Sequence, residues 1–270
     1  MDLDTRKQAL FHMSQEAFAV IKAGLNNVET SQEKSRGDFV TDVDLRAENL
    51  ILEYLGKNFP NDAIVTEESD DKSGTSGFTW IIDPLDGTNN FRRGIPLAGV
   101  QIALLMNGRA VFGLMANLTD DVVYFAEAGR GALMTDFQQS YNAPISVSKR
   151  SLHEGMLVIS SNIAHDPSGI QRQILDNVVP HAESFRVLGC AVQEFPYVAR
   201  GNLEAIISNH PKSMDITAGA LLIEEAGGKA TTYDGLPWSP DMKTIVASNG
   251  LIHDELIDLI EKALNKKRAV

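Results

Sequence analysis

One cysteine in 270 residues, Cys190, leaves no pair from which to build a disulfide within the chain. That scarcity favours a reducing compartment. No apolar run approaches the roughly 20 residues that a membrane-spanning helix needs. Asp2, Asp4, Arg6 and Lys7 precede any apolar segment, the wrong order for a secretion signal. The expectation is a cytoplasmic protein. Positive charge is scarce too, 24 basic residues against 36 acidic ones, for a net charge of −12. An acidic surface repels nucleic-acid backbones and anionic lipid, so neither nucleic acid nor membrane is an expected partner. A small phosphate ester would need cations to offset that field. There is no Gly-x-Ser-x-Gly elbow, no Walker phosphate loop, no internal repeat and no low-complexity segment. The histidines (His12, His153, His165, His181, His210 and His253) share no metal-ligand spacing, and no histidine lies near Cys190 in sequence. Zinc chemistry and a thiol nucleophile are therefore disfavoured.

With 43% hydrophobic residues the chain can bury one large core or two modest ones sharing an interface. Apolar spacing over 3–27 (Leu3, Leu10, Met13, Ala17, Val20, Ile21, Leu25) predicts a helix ended by Gly24 and the polar run to Gly37. A short extended entry at 38–40 leads to a helix capped by Thr41 or Asp42 and running to about Lys57, with Leu45, Ile51, Leu52 and Leu55 along it. A strand over 63–65 ends at Glu67-Glu68, a polar loop fills 70–77, and strands follow at 80–82, 98–106, 109–117, 122–126 and 131–134. Asn107-Gly108 is a hairpin signal. The second half alternates strands (156–160, 203–208, 229–232, 244–248) with helices (168–179, 190–200, 216–226, 251–265). This predicts a layered α+β or α/β fold, not a closed barrel. An N-terminal α+β half, 1–147, and a C-terminal α/β half, 148–270, are expected.

The densest chemistry lies at 80–91, Trp-Ile-Ile-Asp-Pro-Leu-Asp-Gly-Thr-Asn-Asn-Phe. The apolar run delivers Asp83 to a strand end, and Pro84, which has no N–H, is expected to stop the strand. Asp86-Gly87 reads as a tight turn, and Thr88, Asn89 and Asn90 as helix-capping residues. Carboxylates three positions apart on a rigid turn repel unless a cation lies between them. Backbone N–H groups at a helix start welcome an anion. Cation site beside anion site suggests metal-assisted chemistry on a phosphate ester. Asp44, Glu67-Glu68 and Asp215 are further acids at element ends, although spacing alone favours an N-cap for Asp215 and a solvated loop for Glu67-Glu68. Hard oxygen donors indicate Mg²⁺, or Mn²⁺, and not Zn²⁺.

These residues resemble the inositol monophosphatase family. The first signature is the 80–91 segment; the second is Asp215-Ile-Thr-Ala-Gly-Ala220 with Glu225-Ala-Gly-Gly228. Asp38-Phe-Val-Thr41-x-x-Asp44, Glu67-Glu68-Ser69 and Gly131-Ala132 support it, all in order across about 34–250. The resemblance implies an αβαβα sandwich, a homodimer, and a Mg²⁺-dependent, lithium-sensitive phosphomonoesterase, with Ca²⁺ inhibitory. It implies that Glu67, Asp83, the Leu85 carbonyl, Asp86 and Asp215 bind two or three Mg²⁺ ions. Asp86, Gly87, Thr88 and Asp215 would meet the phosphate. Glu67 and the Thr88–Asp44 pair would serve a metal-activated water attacking phosphorus directly. Gly189, Cys190 and Ala191 would contact the substrate alcohol. Two positions depart from the pattern: Met214 stands where Trp is usual, and Ser208 where inositol-specific members place Glu. The second removes an acceptor for substrate hydroxyls and neither touches the metal cage.

The resemblance thus implies an inositol monophosphate-like ester or a sugar phosphate as the expected substrate, with fructose 1,6-bisphosphate, 3′-phosphoadenosine phosphate and NADP as alternatives. Selection is expected from loops around 160–170 and 186–212. A different enzyme class, the aspartyl-phosphate hydrolases, carries Asp-x-Asp-Gly-Thr; here two residues, Pro84 and Leu85, separate the acids. A non-catalytic sugar-phosphate-binding regulator on the same fold is the alternative outside enzymes.

Overall fold

The computed structural model describes residues 2–160, 168–209 and 212–266, the side chain of 266 excepted. His165 and His210, and with them parts of both expected selectivity loops, lie outside the described residues.

Five layers stack on one another. The first holds α1 (Leu3–Gly24) and α2 (Asp42–Asn58). Beneath lies a seven-stranded sheet, in spatial order β3 (Ala63–Thr66), β4 (Phe78–Asp86), β5 (Gly99–Met106), β6 (Arg109–Asn117), β7 (Val122–Glu127), β8 (Gly131–Thr135) and β9 (Ala143–Pro144). Only β3 and β4 pair in parallel. The central layer is α5 (Ala191–Ala199) and α6 (Ser213–Glu225). A five-stranded sheet follows, in the order β11 (Ser184–Arg186), β10 (Met156–Ile159), β12 (Ala205–Asn209), β14 (Thr244–Ser248), β13 (Lys229–Thr231). Helices α4 (Ile170–Val178) and α7 (His253–Lys266) cover its far face. A hairpin of β1 (Ser31–Ser35) and β2 (Asp38–Thr41), and the one-turn α3 (Thr88–Phe91), lie outside the sheets. This is the expected αβαβα sandwich. Among the described residues, no helix is long and apolar enough to cross a membrane.

Each interface between layers has its own apolar cluster, and strand periodicity explains why. Trp80 and Ile82 of β4 point to α1 and α2, where Leu10, Ile21 and Ile51 meet them. Ile81, one residue out of step, faces Val192, Phe195 and Ile216 of the central layer. A strand buried on both faces therefore reads as an unbroken apolar run. Each fully buried Leu, Ile or Phe side chain contributes about 1.5–3 kcal/mol. Leu157, Ile207 and Val246 close the third cluster against Ile174, Leu256 and Ile260. Helix α6 lies between two sheets, which accounts for its Ala/Gly richness. A Cβ on Gly219 would lie 2.2 Å from the Phe195 ring.

Five local expectations are corrected. The strand does not stop at Pro84 but continues to Asp86 through an irregularity in its pairing with β5. The polar run after α1 contains a strand, β1, whose five residues are all exposed and so carry no apolar alternation. Asp215 is not an N-cap: α6 starts at Ser213, and Asp215 stands at its third position, accepting from the Lys212 N–H at 3.3 Å. Residues 88–90 do not cap a helix; Gly87 does, in the left-handed conformation. On α2, Leu45 faces solvent and the core face is Val43, Ala47, Ile51 and Leu55. The hairpin turn at Asn107-Gly108 forms as expected, with positive φ at both residues.

His253, at the start of α7, is buried between the hydroxyls of Thr231 and Ser248, each 2.8 Å from a ring nitrogen. Burial, aided by the nearby Lys229 charge, depresses its pKa to about 4. The native ring stays neutral while the unfolded chain takes up a proton below its ordinary value of 6.5, so this contribution is complete above pH 6.5 and lost between pH 6.5 and 4. In urea titrations, the stability gap between wild type and H253Q is expected to narrow as pH falls through that window. A gap constant from pH 7 to pH 4 would contradict the burial of a neutral ring.

Candidate active site

Strand β4 carries one residue more than β5 opposite it: Asp83 pairs with Gln101, but Asp86 pairs with Gly99. Pro84 sits in this bulge, where a ladder N–H is not required. The bulge is pinned by Asp83, whose Oδ1 accepts the Leu85 N–H at 3.1 Å, while Gln101 Nε2 stands 3.4 Å from Oδ2. Gly87 then turns the chain at φ +83°; a Cβ there would lie 2.5 Å from the Leu97 carbonyl oxygen and 3.2 Å from Cys190 Sγ. Only glycine fits that turn without strain.

Thr88 opens α3, and its hydroxyl lies 2.8 Å from Asp44 Oδ1 and 2.9 Å from the Leu85 carbonyl oxygen. One hydroxyl proton serves both acceptors. Asp44 belongs to a capping box at the start of α2, accepting from the Thr41 N–H at 2.9 Å and from the Thr41 hydroxyl. It is fully buried, behind Thr88, and burial raises its pKa against those hydrogen bonds.

A cleft of about 180 Å³ gathers Glu67, Asp83, Leu85, Asp86, Gly87, Thr88, Gly189 and Asp215 from well-separated parts of the chain. Cys190 lies beside it, with Sγ 3.3 Å from Asp86 Oδ2, and the Val192 N–H donates to that same oxygen. Ala191 is buried in the first turn of α5. Four lining residues were not singled out as site residues in sequence: Asp38, Phe39, Asn89 and Lys212. Asp38 and Phe39 sit on β2, far in sequence from the acid motif, and Lys212 precedes Asp215 by one helical turn, a spacing that reads only as helix-start chemistry.

The electrostatics are strained. Burial pushes Asp83 well above the ordinary carboxylate range, and the charges of Glu67, Asp86 and Asp215 push it further. Burial likewise raises Asp86 and Asp215, with Val192 N–H and Lys212 respectively opposing. Outside this inner group, Lys212 Nζ lies 2.7 Å from Glu67 Oε1, and Lys34 Nζ 2.9 Å from Glu68 and 3.5 Å from Glu67. Burial opposes the Lys212 charge, but Glu67 and Asp38 hold its pKa above the normal lysine value. Among the described residues, no three Asp, Glu, His or Cys side chains already form a metal cage. The lysines hold Glu67 at the rim, and Asp83 and Asp86 are engaged with Leu85, Gln101, Val192 and Cys190. As a donor set, the cleft is all oxygen and net negative, which suits a hard divalent cation.

Layered fold and acidic cleft together define a phosphatase architecture, and comparison gives it a family. The model of the inositol monophosphatase family matches residues 2–265. The chain belongs to that family, whose members are phosphatases that hydrolyse phosphomonoesters, and it is an enzyme of that class. It is 34% identical over 235 residues to an inositol-1-monophosphatase of Mesorhizobium japonicum, 87% of each chain being covered. It is 31% identical to a fructose-1,6-bisphosphatase/inositol-1-monophosphatase of Thermotoga maritima, over 87% of this chain and 88% of that one. The structure of the extragenic suppressor protein SuhB from Bartonella henselae superposes with a TM-score of 0.87 at 30% identity, covering 96% of this chain and 99% of that one.

Gly87→Ala is expected to cost about 2–4 kcal/mol, since it forces a Cβ into a left-handed turn packed against backbone. Urea unfolding measures this; a midpoint within error of wild type would show that the turn relaxes freely.

Proposed function

We propose that the cleft hydrolyses the monophosphate of a small alcohol, an inositol monophosphate-like ester or a sugar phosphate, with Mg²⁺ as its cation. One observation supports this above the others: buried Asp83 and half-buried Asp86 and Asp215 line one cleft within reach of one another's charge, and the Gly87–Thr88 turn opens beside them. Glu67, Asp83, the Leu85 carbonyl, Asp86 and Asp215 would hold two or three ions, with Lys34 and Lys212 yielding Glu67. When bound, such ions make water more acidic and supply counter-charge for the ester oxygens. The 1–147 half would contribute most of these ligands, and the 148–270 half Asp215 and the substrate contacts.

The chain's own groups do the positioning. Amides of Gly87 and Thr88, in a first turn that offers them no internal acceptor, receive phosphate oxygens. The Thr88 hydroxyl accepts from a water in line with phosphorus and, as it takes that proton, passes its own to Asp44 Oδ1, which burial has made more basic. A bond forms from water oxygen to phosphorus as the bond from phosphorus to the alcohol oxygen breaks, and that oxygen leaves with a proton from solvent. Positioning and electrostatics suffice, with no phospho-enzyme. Gly189, Cys190 and Ala191 would form the alcohol side. The Ser208 hydroxyl is committed to the Ser160 carbonyl oxygen, so this strand offers polyol hydroxyls no acidic acceptor. The T. maritima relative's double name favours including fructose 1,6-bisphosphate among candidate esters, and the family resemblance adds 3′-phosphoadenosine phosphate and NADP.

Phosphate release from such a panel is expected to require Mg²⁺ and to fall about a thousandfold or more in D83N and D215N. Both variants are expected to unfold no more readily than wild type without metal, because each relieves the crowding of acids that raises the Asp83 and Asp215 pKa values. Near-normal Mg²⁺-dependent turnover in either would refute the assignment. A cytoplasmic homodimer belongs to the same proposal, supported by the family resemblance and the single cysteine. Light scattering at micromolar concentration is expected to give twice the chain mass, and a monomer mass would remove the dimer from it.

A further inference from the structure

Glu194 is a fully buried carboxylate on α5 to which the proposed chemistry assigns nothing. Its Oε1 accepts the Gly189 N–H at 3.0 Å and stands 3.3 Å from the Leu188 nitrogen. The carbonyls of the same two residues face the other way. Asn90 Nδ2 donates to Leu188 O at 2.9 Å and lies 3.3 Å from Gly189 O, and it also reaches Leu97 O at 3.1 Å. The 188–189 peptide segment is thus gripped on both edges, its amides by Glu194 and its carbonyls by Asn90. Gly189, at φ +66°, is the member of this segment that lines the cleft. Cys190 and Val192, which follow it, both donate to Asp86. A shift of the segment therefore changes the cleft wall at the end away from Gly87 and Thr88.

We propose that Glu194 is a positioning residue that fixes the 188–190 wall and so selects the alcohol portion of the ester, without touching substrate. This rests on the phosphatase reading above and on Gly189 facing the alcohol. Two neutral N–H groups held by one buried carboxylate oxygen form a fixed edge, and removing that acceptor leaves them to find water or to move. The phosphate end, built from the β4 bulge and α3, has no direct contact with Glu194; it meets the 188–192 wall through Asn90 and Asp86, and Asp86 also feels the Glu194 charge, so the smaller effect is expected there.

Three variants test it. E194Q keeps the volume and one acceptor oxygen, E194L keeps the volume and has no acceptor, and E194D shortens the reach. With myo-inositol 1-phosphate and p-nitrophenyl phosphate as probes, E194L is expected to raise KM for the polyol ester about tenfold or more. In the same variant, kcat for the aryl ester and inhibition by inorganic phosphate stay within about twofold. E194Q returns KM to within about threefold of wild type. Hydrogen exchange at the Leu188 and Gly189 amides speeds up about tenfold in E194L and stays slow in E194Q. Where E194L does not fold, E194D takes its place, with the same split expected and E194Q again the rescue. An unchanged polyol KM, unchanged amide exchange, or phosphate inhibition weakening in step with KM would each overturn the proposal. A wild type releasing no phosphate from any ester would overturn the phosphatase reading as well, whereas an active wild type with unaltered E194L and E194D overturns this one alone.

Discussion

The crowding of Asp83, Asp86 and Asp215 within one another's field, the first buried and the other two half-buried, is the constraint that the neighbouring structure answers to. Carboxylates this close favour protonation or separation; the raised pKa values of all three show the first, and the packing around them limits the second. A bulge fixes the first two on opposite sides of Pro84. The third arrives on a helix wedged between two sheets, where an added methyl group at Gly219 would meet an aromatic ring. Withdrawal of the backbone that carries any one of them would require movement in a packed layer, so the three stay close together. The lysines pair with Glu67 and Asp38 at the rim, and of the inner three acids Asp215 feels the Lys212 charge.

Layering makes this arrangement affordable. Its acids arrive from β3, β4 and α6, which belong to two adjacent layers, and the cleft opens where those elements end. The first layer contributes from behind: Asp44, in the capping box of α2, reaches through Thr88 to the same place. A helix-start motif that satisfies backbone amides thereby also holds the Thr88 hydroxyl at the cleft. Local folding chemistry and the proposed catalytic chemistry would use one carboxylate there, and the two roles are compatible because the cap engages mainly Oδ2 while Thr88 takes Oδ1.

How far the sequence could be read depended on the range of the interactions involved. Both-face burial of β4 was legible as an apolar run, and the Asn107-Gly108 turn as a dipeptide, because each is a local rule. The bulge was not. Proline normally ends a strand, and only the pairing partner, Gly99 opposite Asp86, reveals that the ladder resumes. Strand β1 escaped for the opposite reason, since all five of its residues are exposed and nothing in them alternates. At the site, Glu67, Asp83, Asp86 and Asp215 were legible through motif resemblance, and the cleft gathers them. Lys34, Lys212 and Asp38 were not, because their meaning lies in partners 33 to 145 positions away for the lysines, and no local spacing encodes that.

The resemblance signatures also mix two kinds of residue that sequence cannot separate. In the Glu225-Ala-Gly-Gly segment, the Glu225 carboxylate accepts the N–H groups of Gly129 at 2.7 Å and Gly131 at 2.8 Å, fastening the β7–β8 turn to the end of α6. That contact is on the far end of the helix from Asp215, some 15 Å away by helical rise over ten residues. Its work is to hold α6 in register against the sheet so that the opposite end presents Asp215 at the cleft. Glu225 and Glu194 thus share a pattern with different consequences: each carboxylate grips a pair of backbone amides, but only the amides under Glu194 belong to a wall of the cleft. What distinguishes an anchoring acid from a selecting one is therefore the identity of the segment it holds, a property of the folded chain alone.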